Sequence, residues 1–144
     1  MEKWFVFLLL LFLVSCAPAK QPAIVTKVID GDTVTIQGGQ NVRLLGINAP
    51  EKGERGYSEA RDFLIMHLLM KEVVLERDKD NRDKYGRLLR YVWYNGLLVN
   101  KEIVRQGLAV AQIYPPNTKY ASAIVAAEEE AMLQKRGLWK AESD

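Results

Sequence analysis

Cysteine and histidine are almost missing from this chain: Cys16 and His67 are the only ones among 144 residues. A lone cysteine excludes an intramolecular disulfide and a cysteine-rich zinc site, and a lone histidine excludes a His-rich metal centre. The fold must therefore rest on packing, and any bound metal on oxygen donors. His67 itself falls on the apolar stripe of a predicted helix, the position of a packed side chain, and no strand-turn-helix elbow surrounds it to supply a serine nucleophile. A strong charge of one sign is lacking too. Lys and Arg number 20 against 18 Asp and Glu, leaving +2, so a nucleic-acid partner would need basic residues gathered on one surface. The apolar run Trp4 to Val14 is too short to span a bilayer comfortably.

That run is read instead as the core of an export signal. Lys3 gives it a weakly charged start, and Leu13-Val14-Ser15-Cys16 closes it in a pattern that resembles the bacterial lipobox, where cleavage leaves a lipid-modified cysteine at the new N-terminus. The expected organisation is a lipoprotein signal peptide over residues 1–15, a lipidated tether over 16–22, one domain over 23–140 and a short tail over 141–144. Lipidation at Cys16 would hold the domain on a membrane outside the cytoplasm, in the periplasm or at the cell surface, since two or more acyl chains give stable anchoring.

Within the domain, short strand signals come before helical ones. Ile24 to Ile29 is β-branched, Asp30-Gly31 is a hairpin signal, Thr33 to Ile36 alternates, and Gly38-Gly39 leads into Asn41 to Ile47, a three-stranded meander. Glu51 to Gly56 reads as a mobile loop, followed by a helix over 59–70 whose stripe is Ala60, Phe63, Leu64, His67 and Leu68, with Ser58 as N-cap. Val73 to Leu75 and Leu88 to Tyr94 add two strands across a charged connection. Val99 to Gln106 and the stripe Tyr120, Ile124, Ala127, Ala131 predict two closing helices, with Gly137 as the stop and Leu138-Trp139 as an apolar clasp. Five strands, one inserted helix and C-terminal helices make a mainly β, α+β architecture: a five-stranded OB-fold barrel.

Hydrolysing a phosphodiester requires neutralising its charge, preparing water as nucleophile and stabilising the transition state. Arginines and carboxylates with a hard cation serve those needs, and here they cluster at turns and strand ends: Asp32, Arg43, Glu51 and Arg87. Arg43, flanked by Val42, Leu44 and Leu45, must bury its stem and find an acceptor for its guanidinium, which either a phosphate or a neighbouring acid would supply. Asp78, Asp80 and Asp83 suggest an EF-hand only superficially, because the loop lacks the sixth-position glycine and has Leu89 where the bidentate Glu belongs. Lys79, Arg82 and Lys84 in that loop suit either a solvated connection or contact with a nucleic-acid backbone.

Four segments in order resemble the motifs of the staphylococcal nuclease (thermonuclease) family: Val28-Ile29-Asp30-Gly31-Asp32-Thr33, Arg43 to Glu51, Asp83-Lys84-Tyr85-Gly86-Arg87, and Val104 to Ala109. The resemblance runs from about Ile24 to Trp139. It implies a calcium site formed by the Asp32 carboxylate, the Asn48 side chain and the Ala49 carbonyl. It implies that Glu51 handles the attacking water, that Arg43 and Arg87 grip the phosphate, and that Lys84 and Tyr85 contact the nucleotide. Asn48 replaces an expected aspartate, which removes one negative charge and should weaken calcium binding. Gln112 replaces an expected tyrosine, leaving Tyr114 as a stacking platform. The implied function is cleavage of DNA and RNA, preferably single-stranded, by direct water attack leaving 3′-phosphate ends, by a monomer. The alternative is a non-catalytic nucleic-acid-binding OB module.

Overall fold

The computed structural model describes residues 19–142. Cys16 and the predicted signal segment lie outside the described residues. The elements run β1 (Lys20–Asp30), β2 (Thr33–Ile36), β3 (Asn41–Leu44), β4 (Ile47–Asn48), α1 (Tyr57–Leu68), β5 (Glu72–Glu76), β6 (Leu88–Tyr94), β7 (Leu97–Leu98), α2 (Val99–Arg105), β8 (Val110–Ala111) and α3 (Ala121–Leu133). A short 3-10 turn, Gly137–Trp139, follows.

The barrel closes because one long strand serves two neighbours. The first half of β1, Lys20 to Ile24, pairs antiparallel with β5, whereas Val25 to Asp30 pairs with β2. Register shifts between Val25 and Lys27 and between Val28 and Asp30 bend the strand between these partners, the usual effect of a bulge. β2 then pairs with β3 and β5 with β6, and a parallel pairing of β3 with β6 completes the ring. β1, β2, β3, β5 and β6 thus form the five-stranded OB-type barrel that the strand pattern predicts. Val25, Val34, Val42, Leu44, Leu75 and Val92 fill it, and α1 contributes Ala60, Leu64 and Leu68. Each buried aliphatic side chain of Val or Leu size contributes about 1.5–3 kcal/mol.

Several local expectations change. Residues 20–22, read as tether, are strand paired with β5, because Pro22 stands opposite Val74 without breaking the ladder. The first turn consists of Gly31 and Asp32 rather than Asp30 and Gly31, since Asp30 pairs with Thr33. Asn41 to Ile47 is not one strand: Gly46, at φ 77°, turns the chain after β3 so that β4 leaves the barrel and pairs with β8. α1 starts at Tyr57 with Gly56 as N-cap in the left-handed region, so Ser58 is inside the helix and caps nothing. The 51–56 loop is held by its own turn, with the Glu51 amide donating to the Glu54 carboxylate at 2.8 Å and the Glu54 amide to the Glu51 carbonyl at 2.9 Å. α3 ends at Leu133, before Lys135 and Arg136, and Gly137 begins the 3-10 turn.

Two glycines fix tertiary contacts that side chains would block. A Cβ on Gly31 would lie 2.5 Å from that of Ala60 and 2.7 Å from that of Ala49, so glycine lets α1 sit directly on the turn bearing Asp32. A Cβ on Gly107, at φ +74°, would meet the Arg136 carbonyl oxygen at 2.2 Å. The C-terminal segment docks there, the Leu138 amide donating to the Gly107 carbonyl at 2.8 Å, which forms the predicted clasp. His67 is satisfied within α1: its Nδ1 is 2.8 Å from the Phe63 carbonyl and its ring stacks on Phe63 at 4.1 Å.

Candidate active site

An open cleft of about 700 Å³ lies where the β1–β2 turn, the end of β3, β4, the charged β5–β6 loop and the segment after β8 meet. Asp32, Arg43, Asn48, Glu51, Lys84, Tyr85, Arg87 and Tyr114 all line it, residues that are up to 82 positions apart in sequence. Ala49 lies just behind, its amide donating to Asp32 Oδ2 at 2.9 Å.

Asp32 is the anchor of the site, with 5% of its surface exposed. Its Oδ1 accepts the Thr33 hydroxyl at 2.9 Å, and its Oδ2 faces Arg43 Nη2 at 3.3 Å. Arg43 also donates to the Leu44 carbonyl at 2.7 Å and to Asn48 Oδ1 at 3.4 Å. The acceptor that the sequence demands for Arg43 is therefore the acid Asp32 together with two neutral oxygens, and the guanidinium edge is held at the cleft. Arg87 is oriented differently: Asp83 accepts both its Nε, at 2.7 Å, and its amide, at 3.0 Å. These two bonds and burial act oppositely on Asp83; burial raises its pKa, and the bonds from Arg87 and Tyr85 bring it below its ordinary value.

Tyr85 and Tyr114 are 72% and 64% exposed, large rings left in solvent beside the cleft. Lys84 and Arg87 stand over the Tyr85 ring at 5.1 and 5.4 Å, and Gln112 donates to the Tyr114 hydroxyl at 2.5 Å. The segment carrying Tyr114 is tied to the β5–β6 loop by Asn117, whose Oδ1 accepts the amides of Lys79 and Asp80 and whose Nδ2 donates to Asp80. Asp78, Asp80 and Asp83 thus point to separate partners, Asp78 accepting the Tyr91 hydroxyl, and they form no EF-hand.

Asp30 is a site residue that the sequence pattern assigns to the turn instead. It lines the cleft, its Oδ1 accepts the Asp32 amide at 3.1 Å, and its carboxyl is pushed up to about 6 by burial, then by the Asp32 charge, with Glu51 adding to it. The Asp-Gly-Asp spacing carries the signal, but only the folded β1–β2 turn shows both acids lining the cleft. Asp83 falls inside a motif without showing its role, and Asn117 carries no sequence signal; they orient Arg87 and the Tyr114 segment.

The donor chemistry fits a hard divalent cation: the carboxylates of Asp30, Asp32 and Glu51 and the amide oxygen of Asn48 lining the cleft are all oxygen donors, and mutual carboxylate repulsion is what a cation relieves. Among the described residues no three His, Cys, Asp or Glu side chains converge as a complete cage, so amide, carbonyl and water oxygens would have to complete the shell.

The family model described as staphylococcal nuclease homologue matches residues 41–141. The thermonuclease of Staphylococcus intermedius is 40% identical over 126 residues, covering 81% of this chain and 75% of that protein. The thermonuclease of Staphylococcus hyicus is 38% identical over 124 residues, covering 80% and 73%. Endonuclease YncB of Bacillus subtilis is 39% identical over 124 residues, covering 78% of this chain and 59% of its own length. Barrel, cleft and sequence agree over most of the described residues, and the chain belongs to the staphylococcal nuclease family.

Proposed function

We propose that this protein is a calcium-dependent nuclease that hydrolyses phosphodiester bonds of DNA and RNA, with unpaired strands preferred. The observation that carries the reading is the convergence of Arg43, Glu51 and Arg87 with the Asp30–Asp32 pair in one open cleft flanked by exposed tyrosines. Two guanidiniums offer planar forks that match the oxygens of a phosphate and its transition state. Arg43 is held from behind by Asp32, and Arg87 by Asp83, so both reach the substrate with their orientation already fixed.

Glu51 is an exposed carboxylate at the rim whose backbone, and not its side chain, is engaged by the turn, leaving the carboxylate free to take a proton from water. Attack by that water on phosphorus breaks the bond to the 5′ oxygen of the next nucleotide and leaves a 3′-phosphate, with Arg87 beside the departing oxygen. Among the described residues no cysteine, serine or histidine lines the cleft, in keeping with direct attack and no covalent intermediate. Asp32, Asn48 and Ala49 would hold calcium, which when bound supplies positive charge at the phosphate. Tyr85 and Tyr114 would stack on bases and Lys84 would contact the backbone, a sequence-tolerant mode suited to single strands.

Export and lipid attachment at Cys16, placing a monomeric enzyme on the outer side of a membrane, complete the proposal; the Leu-Val-Ser-Cys pattern supports it. The test is incubation of the chain with single-stranded DNA and RNA under calcium, magnesium, manganese or chelator. Cleavage with calcium and 3′-phosphate ends is expected. Binding without cleavage in every ion would replace this reading by the non-catalytic module.

A further inference from the structure

A second cavity, of about 470 Å³, opens where β5 leads into the charged loop, and Arg77, Arg82 and Arg90 line it. Arg90 projects from β6 with only 4% of its surface exposed. Its guanidinium donates to the Asn81 carbonyl at 3.0 Å, the Asn81 side-chain oxygen at 2.8 Å and the Leu89 carbonyl at 2.7 Å, all neutral acceptors. Arg77 and Arg82 likewise donate to the carbonyls of Lys79 and Gly86. None of the three forms an ion pair among the described residues. Asp78 is the one carboxylate among the described residues lining the cavity, and it already accepts the Tyr91 hydroxyl and the Lys119 amide.

A buried guanidinium lacking a counter-ion is costly, and two more guanidiniums beside it raise the cost. Burial, then Arg77 and Arg82, hold Arg90 below its ordinary pKa, the mark of uncompensated positive potential. A diester phosphate entering the cavity would relieve it, its charge offsetting that of Arg90, whose Nη atoms already donate to Asn81 and Leu89, and its oxygens accepting from Arg77 and Arg82. Position identifies which phosphate. Arg82 lines both this cavity and the cleft, so a strand leaving the cleft across Arg82 arrives at Arg77 and Arg90.

We propose that Arg77, Arg82 and Arg90 form a phosphate subsite that holds the backbone of the nucleic-acid substrate beyond the cleft, giving longer strands tighter binding than the cleft alone provides. The inference rests on the nuclease reading and names a part of the substrate footprint that the catalytic residues do not reach. Arg77 is the residue to change, because it is exposed and lies outside the cleft.

The experiment measures binding of the full chain and its Arg77→Glu variant to a phosphorothioate single-stranded dodecamer and to a dinucleotide, by fluorescence anisotropy in chelator. The dodecamer Kd should rise about tenfold, and the slope of its salt dependence should fall by about 0.7 for each phosphate that is no longer neutralised, while dinucleotide affinity stays the same. In turnover with the divalent ion, KM for the phosphodiester form of the dodecamer should rise while kcat holds. Arg90→Met, which keeps the buried stem, should weaken the same interaction, and a thermal melt shows whether it folds. Unchanged dodecamer affinity in Arg77→Glu overturns the subsite, as does equal loss for both oligonucleotides. Loss of binding to phosphatidylserine vesicles with dodecamer affinity intact would assign the cavity to lipid headgroups and also overturn it. A wild-type chain that binds through Arg77 but cleaves nothing would remove the nuclease reading alone; a cleaving enzyme indifferent to Arg77 would remove the subsite alone.

Discussion

Glu76 and Asp30 are carboxylates on the same barrel, and their surroundings shift them in opposite directions. The Glu76 side chain has no exposed surface, yet it accepts the Trp93 indole at 2.7 Å, the Tyr120 hydroxyl at 2.9 and 3.1 Å and the Lys119 ammonium. Burial alone would raise its pKa, but the bonds from Lys119, Trp93 and Tyr120 outweigh it and hold the carboxyl below its ordinary value. Asp30 has one backbone amide for a partner and a second carboxylate as its neighbour, and its pKa rises. The difference separates two uses of buried charge. A saturated carboxylate ties β5, β6 and the start of α3 together, whereas Asp30, crowded by a second acid and short of donors, lines an open cleft.

The largest expected effect tests the open side of the comparison. Glu51→Gln or Arg87→Ala should lower the single-turnover cleavage rate by about 10²–10⁴-fold, as removal of a proton acceptor or a transition-state cation does. The melting temperature should move little; a large thermal loss in both would mean these residues are structural, like Glu76. On the saturated side, Glu76→Gln should cost about 2–3 kcal/mol in a denaturant titration, the worth of charge-assisted bonds removed from a buried group, with cleavage per folded molecule retained. Inactivation without destabilisation would invert the contrast.

The same variant sharpens it through pH. Because the folded pKa of Glu76 lies below its ordinary 4.5, the unfolded chain binds the proton first as pH falls. Its stabilisation is complete above the ordinary carboxylate range and disappears as pH drops through the lower folded value. Melting curves from neutral pH down into the acid range should show a steeper acid limb in the native protein than in Glu76→Gln, and parallel limbs would exclude the coupling. The smallest effect concerns Asn48. Restoring a charge with Asn48→Asp should reduce the calcium needed for half-maximal cleavage by about three- to tenfold, read from a calcium titration. An unmoved midpoint would take Asn48 out of the metal site.

Much of this molecule is legible in its residues. β-Branched and alternating runs locate every barrel strand, and the periodicity of Ala60, Leu64 and Leu68 gives the buried face of α1. Arg43 inside an apolar strand signals a guanidinium in need of an acceptor, and Asp32 is that acceptor. Boundaries are harder. Ser58 has the chemistry of a cap, but the helix begins after Gly56, whose left-handed backbone needs no side chain and where a Cβ would lie 2.7 Å from Leu138, 82 residues distant. Asp30 resembles half of a turn because hairpin chemistry is local, while its pairing with Thr33 and its place in the cleft appear only when β1 pairs with β2.

By itself the sequence determined the class of chemistry: oxygen donors and arginines, with no intramolecular disulfide and no His-rich centre, on an alternating strand pattern long enough for one small barrel. Tertiary structure decided which charges are spent and which are left open. Glu76 and Asp30 are both acids that end strands, and their neighbours by sequence do not say which of the two is compensated. Trp93, Lys119 and Tyr120 reach Glu76 only through the fold, and Glu51 joins Asp32 near Asp30 only because the β1–β2 turn and the segment after β4 line one cleft. Charge compensation is set by distances across the fold, which residue order does not contain.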